Sequence, residues 1–136
     1  MTAANINIVV IEPSDLVYEG LVNILLKNRP GLRFFRIDEL EEITFCLTKI
    51  KPDIVILNTL LIQNRIKLFR SIKRENTVIR WIGTVHTLIN TETSSEFDDI
   101  IRIDEKTEEI CRKIVRMTSP DKTIDALQVQ KTLSDR

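Results

Sequence analysis

The sequence predicts an α/β sandwich, a parallel β-sheet with helices on both faces. Two observations lead there. Five short apolar runs alternate along the chain with five segments of helical periodicity. The first of the runs is β-branched and the third, Ile54 to Leu57, is wholly apolar, as suits strands covered on both faces.

Taken in order, Ile6 to Ile11 is a β-branched run that ends at Glu12-Pro13 and reads as a buried strand. Leu16 to Asn28 turns helical, with Val17, Leu21, Ile24 and Leu25 on one face. Ser14 and Asp15 can cap its start, and Pro30-Gly31 ends it. Leu32 to Ile37 is a second strand. Asp38 followed by Glu41 has the spacing of a capping box, and Leu40, Ile43, Leu47 and Ile50 recur at helical spacing behind it. Lys51-Pro52-Asp53 is a turn, and Ile54 to Leu57 is the most strand-like run in the chain. Ile66, Phe69 and Ile72 mark a third helix. Val78 to Val85 is a fourth strand, with Gly83 expected to weaken its end. Asn90 to Phe97 is polar, so any helix there is short. Ile100 to Ile103 is a fifth strand, and Ile110, Ile114 and Met117 mark a last amphipathic helix. Ligands of such folds gather at the carboxyl ends of the strands. Here that rim carries Glu12, Pro13, Asn58, Thr84 and Ile103.

Composition narrows the function classes. With 20 basic and 20 acidic residues the formal net charge is zero, so no global field draws the chain to nucleic acid or to an anionic membrane. Apolar runs of about four residues are far short of the roughly 20 that span a bilayer. Residues 1 to 5 lack the basic and apolar regions of a signal peptide. Cys46 and Cys111 are isolated and read as small buried or half-buried hydrophobes in a reducing cytoplasm, where the protein is expected to reside. Phosphate-cradling glycines, Cys/His metal spacing and a Ser/His/Asp arrangement are all missing from the sequence.

Ile8-Val-Val-Ile-Glu-Pro-Ser-Asp-Leu-Val-Tyr-Glu-Gly-Leu21 resembles the opening of receiver domains in response regulators of the NarL/LuxR type. In that family the first strand ends in two aspartates, followed by a segment close to His-Pro-Leu-Val-Arg-Glu-Gly-Leu. Lys51-Pro-Asp-Ile-Val-Ile-Leu-Asn58 resembles the third strand, which in the family ends in the phosphoryl-accepting aspartate. The match covers residues 6 to 118 and is weak between Thr59 and Phe97. It implies the CheY-like strand order 2-1-3-4-5 and a receiver-like domain over residues 1–118. Leu133-Ser-Asp-Arg136 is similar to the Leu-Thr-x-Arg start of a LuxR-type helix-turn-helix domain. Residues 119–136 are therefore expected to be a linker and the beginning of that truncated domain, with Pro120 as a helix stop and Ser134 as an N-cap.

The chemistry departs from the family at each working position. A receiver needs paired carboxylates for Mg²⁺, a hard cation with octahedral oxygen coordination. Here the pair is Glu12-Pro13, and proline offers no ligand. The acceptor position holds Asn58, whose neutral amide is a poor nucleophile. Aligning Glu108-Glu109-Ile110 with the family's Glu-Glu-Leu puts Ile103 where a lysine pairs with the phosphoryl group, and Lys106, three residues on, is a poor substitute. The switch hydroxyl survives as Thr84, unless a one-residue shift puts Gly83 there. The loop after the acceptor is the apolar Thr59-Leu-Leu-Ile-Gln-Asn-Arg65, suited to cover the old site or to form a contact surface.

These losses predict a pseudo-receiver: no enzyme, no metal, no cofactor, but a regulatory module of a bacterial transcription regulator acting by dimerisation or partner binding. Homodimerisation is expected through Asn90 to Thr118, the face receiver relatives use. DNA is expected to be bound only through the missing C-terminal domain, and a sensor or other partner protein is a further expected contact. The rival readings are a phosphorylated receiver using a displaced acid, Asp53 or Asp15, and a flavodoxin-like small-ligand binder. His86, the sole histidine, is expected to be a loop residue, and Trp81 a packing residue of the fourth strand. The basic run Arg65 to Arg80 and the acidic run Glu92 to Glu109 read as solvated helix faces, or as charges that pair between protomers or with the missing DNA-binding half.

Overall fold

A computed structural model of the chain describes residues 5–87 and 90–118. Strands β1 (Ile6–Ile11), β2 (Leu32–Ile37), β3 (Ile54–Asn58), β4 (Arg80–Val85) and β5 (Asp99–Arg102) form one parallel sheet in the order β2-β1-β3-β4-β5. Helices α1 (Asp15–Asn28), α2 (Ile43–Lys49), α3 (Ile66–Arg74), α4 (Thr91–Ser94) and α5 (Thr107–Met117) fill the crossovers and the end of this region. Strand order and layering match the sequence expectation.

The two-residue period of a strand sorts the core into two halves. Val9, Ile11, Val55, Leu57 and Trp81 face one way and pack with Leu40, Ile43 and Phe69. Ile8, Val10, Ile54, Ile56 and Ile82 face the other way, onto Leu21 and Leu25 of α1 and Ile110, Ile114 and Met117 of α5. Both sets are buried, which is why Ile8 to Ile11 and Ile54 to Leu57 are apolar at every position. In the first half Phe69 meets Trp81 edge-on at 5.3 Å and Phe97 at 5.0 Å between ring centroids. Cys46 is buried and Cys111 partly so, both as free thiols. Burial, then the Glu42 carboxylate, pushes the Cys46 thiol above its ordinary value.

Several boundaries move. β4 starts at Arg80 because Val78, in the preceding turn, projects into water at 84% exposure. β5 runs from Asp99 to Arg102, leaving Ile103 just past its end. Gly83 does not weaken β4. A Cβ there would lie 2.8 Å from Thr59 Cγ2 and 3.1 Å from Phe97 Cδ2, so glycine lets both close over the strand. The capping box is not made. Asp38 lies 3.6 Å from Arg36, Glu41 pairs with Arg65, and a 3-10 turn at Leu40–Glu42 leads into α2 without a side-chain cap. The Ser14 cap does form, its Oγ accepting from the Val17 N–H at 3.3 Å. α4 is four residues long, capped by Asn90 through the Thr93 N–H at 2.7 Å. The linker and helix-turn-helix start expected over 119–136 lie outside the described residues. Among the described residues no helix is long and apolar enough to cross a membrane.

Candidate functional site

Strand register builds the rim. Ile11 is level with Leu57, and Asn58 with Thr84, so Glu12, Asn58 and Thr84 stand side by side at the carboxyl ends of β1, β3 and β4. All three share the strand parity of Ile8, Ile54 and Ile82, whose side chains face α1 and α5. All three are buried, Glu12 at 3% exposure, Asn58 at 6% and Thr84 at 2%. The register therefore puts Thr84, and not Gly83, opposite Asn58, while Gly83 is level with Leu57.

The Asn58 side chain is fixed from several directions. Its Oδ1 accepts the Leu60 N–H at 2.9 Å, in the 3-10 turn Thr59–Ile62, which sets the orientation of the amide. Its Nδ2 then donates to Glu12 Oε1 at 3.1 Å and lies 3.4 Å from His86 Nε2. The other Glu12 oxygen accepts the Ser14 N–H at 2.8 Å. A buried carboxylate needs such donors, and each charge-assisted hydrogen bond contributes about 1.5–3 kcal/mol. Pro13 is exposed, and its carbonyl oxygen accepts from Arg36 at 3.2 Å, as the Glu12 carbonyl does at 3.1 Å. Arg36 also pairs with Asp15 at 2.8 Å and lies over the Tyr18 ring. Hydrogen bonding to Asp15 is the main force raising its pKa. This binds the start of α1 to β2 across the β1 rim.

Two participants have no local sequence signal. Arg36 comes from the edge strand, and His86 follows β4. Only the parallel register carries them to the rim. Ile103 stands 44% exposed where the resemblance places a lysine, and Lys106 is exposed at the start of α5. The Lys113 ammonium is engaged elsewhere, donating to the Ile100 carbonyl at 2.6 Å and to Glu105 at 2.7 Å. Burial works to raise the Glu105 pKa. The Arg102 N–H and the Lys113 ammonium outweigh it and hold the group below its ordinary value. Of the acids considered as displaced acceptors, Asp53 lies at the amino end of β3, where it accepts the Asn7 N–H at 2.9 Å, and Asp15 is committed to Arg36.

The donor set does not suit Mg²⁺. Glu12 is the carboxylate that bonds Asn58, and both its oxygens already accept hydrogen bonds. The Asn58 oxygen is taken by Leu60. Among the described residues no three His, Cys, Asp or Glu side chains come together as a metal site.

Two residues of each charge run meet within the chain. Arg70 pairs with Glu92 at 3.1 Å and with Glu96 at 2.6 Å, and Lys73 pairs with Glu96 at 2.9 Å, joining α3 to the α4 region. Within the chain these four side chains are therefore paired with each other, as α3 lies beside the β4–β5 crossover.

Solved structures similar to this chain are response-regulator receivers. A response regulator from Thermotoga maritima matches with a TM-score of 0.71 at 15% identity, over 83% of this chain and 97% of that one. HP1043, an orphan response regulator of H. pylori, matches with a TM-score of 0.71 at 15% identity, over 87% and 100%. A LuxR-family DNA-binding response regulator from Staphylococcus aureus gives 0.66 at 14% identity, over 84% and 99%. At such identities the likeness establishes the receiver fold. No protein-family profile matches the chain, and no curated protein matches it.

Proposed function

We propose that this chain is a receiver-like regulatory domain of a bacterial DNA-binding transcription regulator, and that it works in the cytoplasm without phosphorylation. The observation that carries the proposal is the Asn58–Glu12 hydrogen bond. It occupies the position of the family's acceptor with an amide that faces inward and is already paired. Phosphoryl transfer relies on a positioned nucleophile and on cations that neutralise developing charge. At the rim the acceptor position holds an amide, the nearby cation Arg36 is engaged by the Glu12 and Pro13 carbonyls and by Asp15, and Ile103 stands in place of a paired lysine. The domain is therefore a binding module and not an enzyme.

Without a phosphoryl switch its output depends on self-association or on a partner. The surface for self-association is the face of α4, β5 and α5, within Asn90 to Thr118. There Val115 is 48% exposed on α5, flanked by Arg112 paired with Glu109 and by Arg116 facing Asp99. An apolar centre with charged surroundings is the usual make-up of an interface. DNA contact is assigned to a helix-turn-helix domain on the strength of the LuxR-like sequence Leu133-Ser-Asp-Arg136 alone, and one similar solved structure, the S. aureus regulator, is described as DNA-binding.

Sedimentation velocity tests this reading. A concentration-dependent dimer with the same dissociation constant before and after acetyl phosphate and Mg²⁺ is expected, weakened at least tenfold by Val115→Glu. A dimer that forms only with the phosphoryl donor, or a monomer at all concentrations, overturns it.

A further inference from the structure

A cavity of about 240 Å³ opens beside the rim, between the first turns of α1, the ends of β4 and β5, and the start of α5. Leu16, Gly20, Leu21, Ile103 and Ile110 line it, and Thr84 is the one polar side chain in the lining. Leu16 is 84% exposed and Ile103 44%, so two large apolar side chains stand in water at this cavity. The Thr84 carbonyl is engaged, accepting from Thr59 Oγ1 at 2.9 Å. Its hydroxyl is buried and has no hydrogen-bond partner among the described residues. Buried hydroxyls are almost always paired, so an orphan in the lining of an apolar cavity points to a partner that arrives from outside the chain.

We propose that this cavity binds a small uncharged molecule of a single ring bearing one hydroxyl, with the ring among the aliphatic side chains and the hydroxyl paired with Thr84. Size and charge select this class. An aliphatic cavity of about 150 Å³ accepts benzene, so the volume here takes one ring with a substituent. A nucleotide or flavin needs a larger site. No charged side chain lines the cavity, so a carboxylate or phosphate would be desolvated without compensation. Ile103 matters here: a lysine at that position would bring a cation to the lining. The inference deepens the regulatory reading, on which it rests for its consequence, by naming what biases the domain in place of a phosphoryl group. The binding itself does not depend on that reading.

The test is an amide chemical-shift titration of the full chain with phenol and with benzene. Saturable shifts at Gly20, Thr84 and Ile103 are expected with both probes. Gly20→Leu places a side chain in the cavity, and since nothing lies within 4 Å of the Cβ position, the variant stays folded and loses binding. Thr84→Val is isosteric and lowers the phenol-to-benzene affinity ratio by about three- to tenfold, the worth of one hydrogen bond. The proposal is overturned by shifts that do not saturate or that map elsewhere. It is equally overturned by phenol binding unchanged in Gly20→Leu, or by a ratio unchanged in Thr84→Val. Phosphoryl uptake by the same chain, measured by mass, would overturn the regulatory reading and leave this result standing.

Discussion

Replacing Asn58 by aspartate turns the rim's central hydrogen bond into a repulsion. The wild-type amide donates to Glu12 Oε1 at 3.1 Å, with both residues buried. Two carboxylates at that separation repel by about 5 kcal/mol at an effective dielectric of about 20. The pair can escape by holding one proton, which at pH 7 costs about 4 kcal/mol, three units above the ordinary carboxylate value at about 1.4 kcal/mol each. The smaller cost sets the outcome. Asn58→Asp is expected to lose about 3–4 kcal/mol at pH 7, roughly 15 °C in Tm for a domain of this size. The folded variant holds its shared proton to higher pH than the unfolded chain does. Its deficit is therefore smallest below about pH 4 and grows as pH rises through the raised folded value. Mg²⁺ is expected to restore part of the stability of the variant, whose two carboxylates make a hard-cation site, and to leave the wild type unchanged. Urea unfolding at pH 5 and pH 7, with and without Mg²⁺, reads all of this. A variant as stable as wild type at pH 7 without metal would refute the contact geometry on which the account rests.

Phe69→Ala removes a side chain with no solvent exposure from between Trp81 and Phe97. It should cost about 3–5 kcal/mol in chemical denaturation. Gly83→Ala puts a methyl 2.8 Å from Thr59 Cγ2 and should cost about 1–3 kcal/mol by the same assay, the clash outweighing the gain from a less flexible unfolded chain. For Glu96, burial acts to raise the pKa, but Lys73 and then Arg70 outweigh it and hold the group below its ordinary value of 4.5. A depressed carboxylate stabilises the fold above its unfolded value and loses that contribution as pH falls through the folded value. Glu96→Gln should therefore lower Tm at pH 7 and converge on wild type in acid below pH 4.5. A difference that persists unchanged at low pH would contradict the pairing.

Much of the fold was legible because its signals are local. The four-residue apolar stretches Ile8 to Ile11 and Ile54 to Leu57 suit strands covered on both faces, and the spacing of Ile110, Ile114 and Met117 suits a helix against one of those faces. Errors fell where a neighbour distant in sequence decides. Asp38 and Glu41 have the spacing of a capping box, yet arginines on β2 and before α3 claim them. Gly83 looks like a weak point until Thr59 and Phe97 are seen closing over it.

The site divides in the same way. Glu12, Asn58 and Thr84 could be assigned to the rim because each sits at or beside the end of an apolar run. That Asn58 bonds to Glu12, that His86 stands at 3.4 Å and that Arg36 holds the Glu12 and Pro13 carbonyls are matters of register between strands. The cavity beside Thr84 depends on how α1 and α5 seat on the sheet, which no periodicity encodes.

The most direct test of the pseudo-receiver account is the intact mass of the full chain after incubation with acetyl phosphate and Mg²⁺. The account predicts a mass unchanged from the untreated chain. A stoichiometric gain of one phosphoryl group, located by fragmentation on an aspartate near the β3 rim, would contradict it.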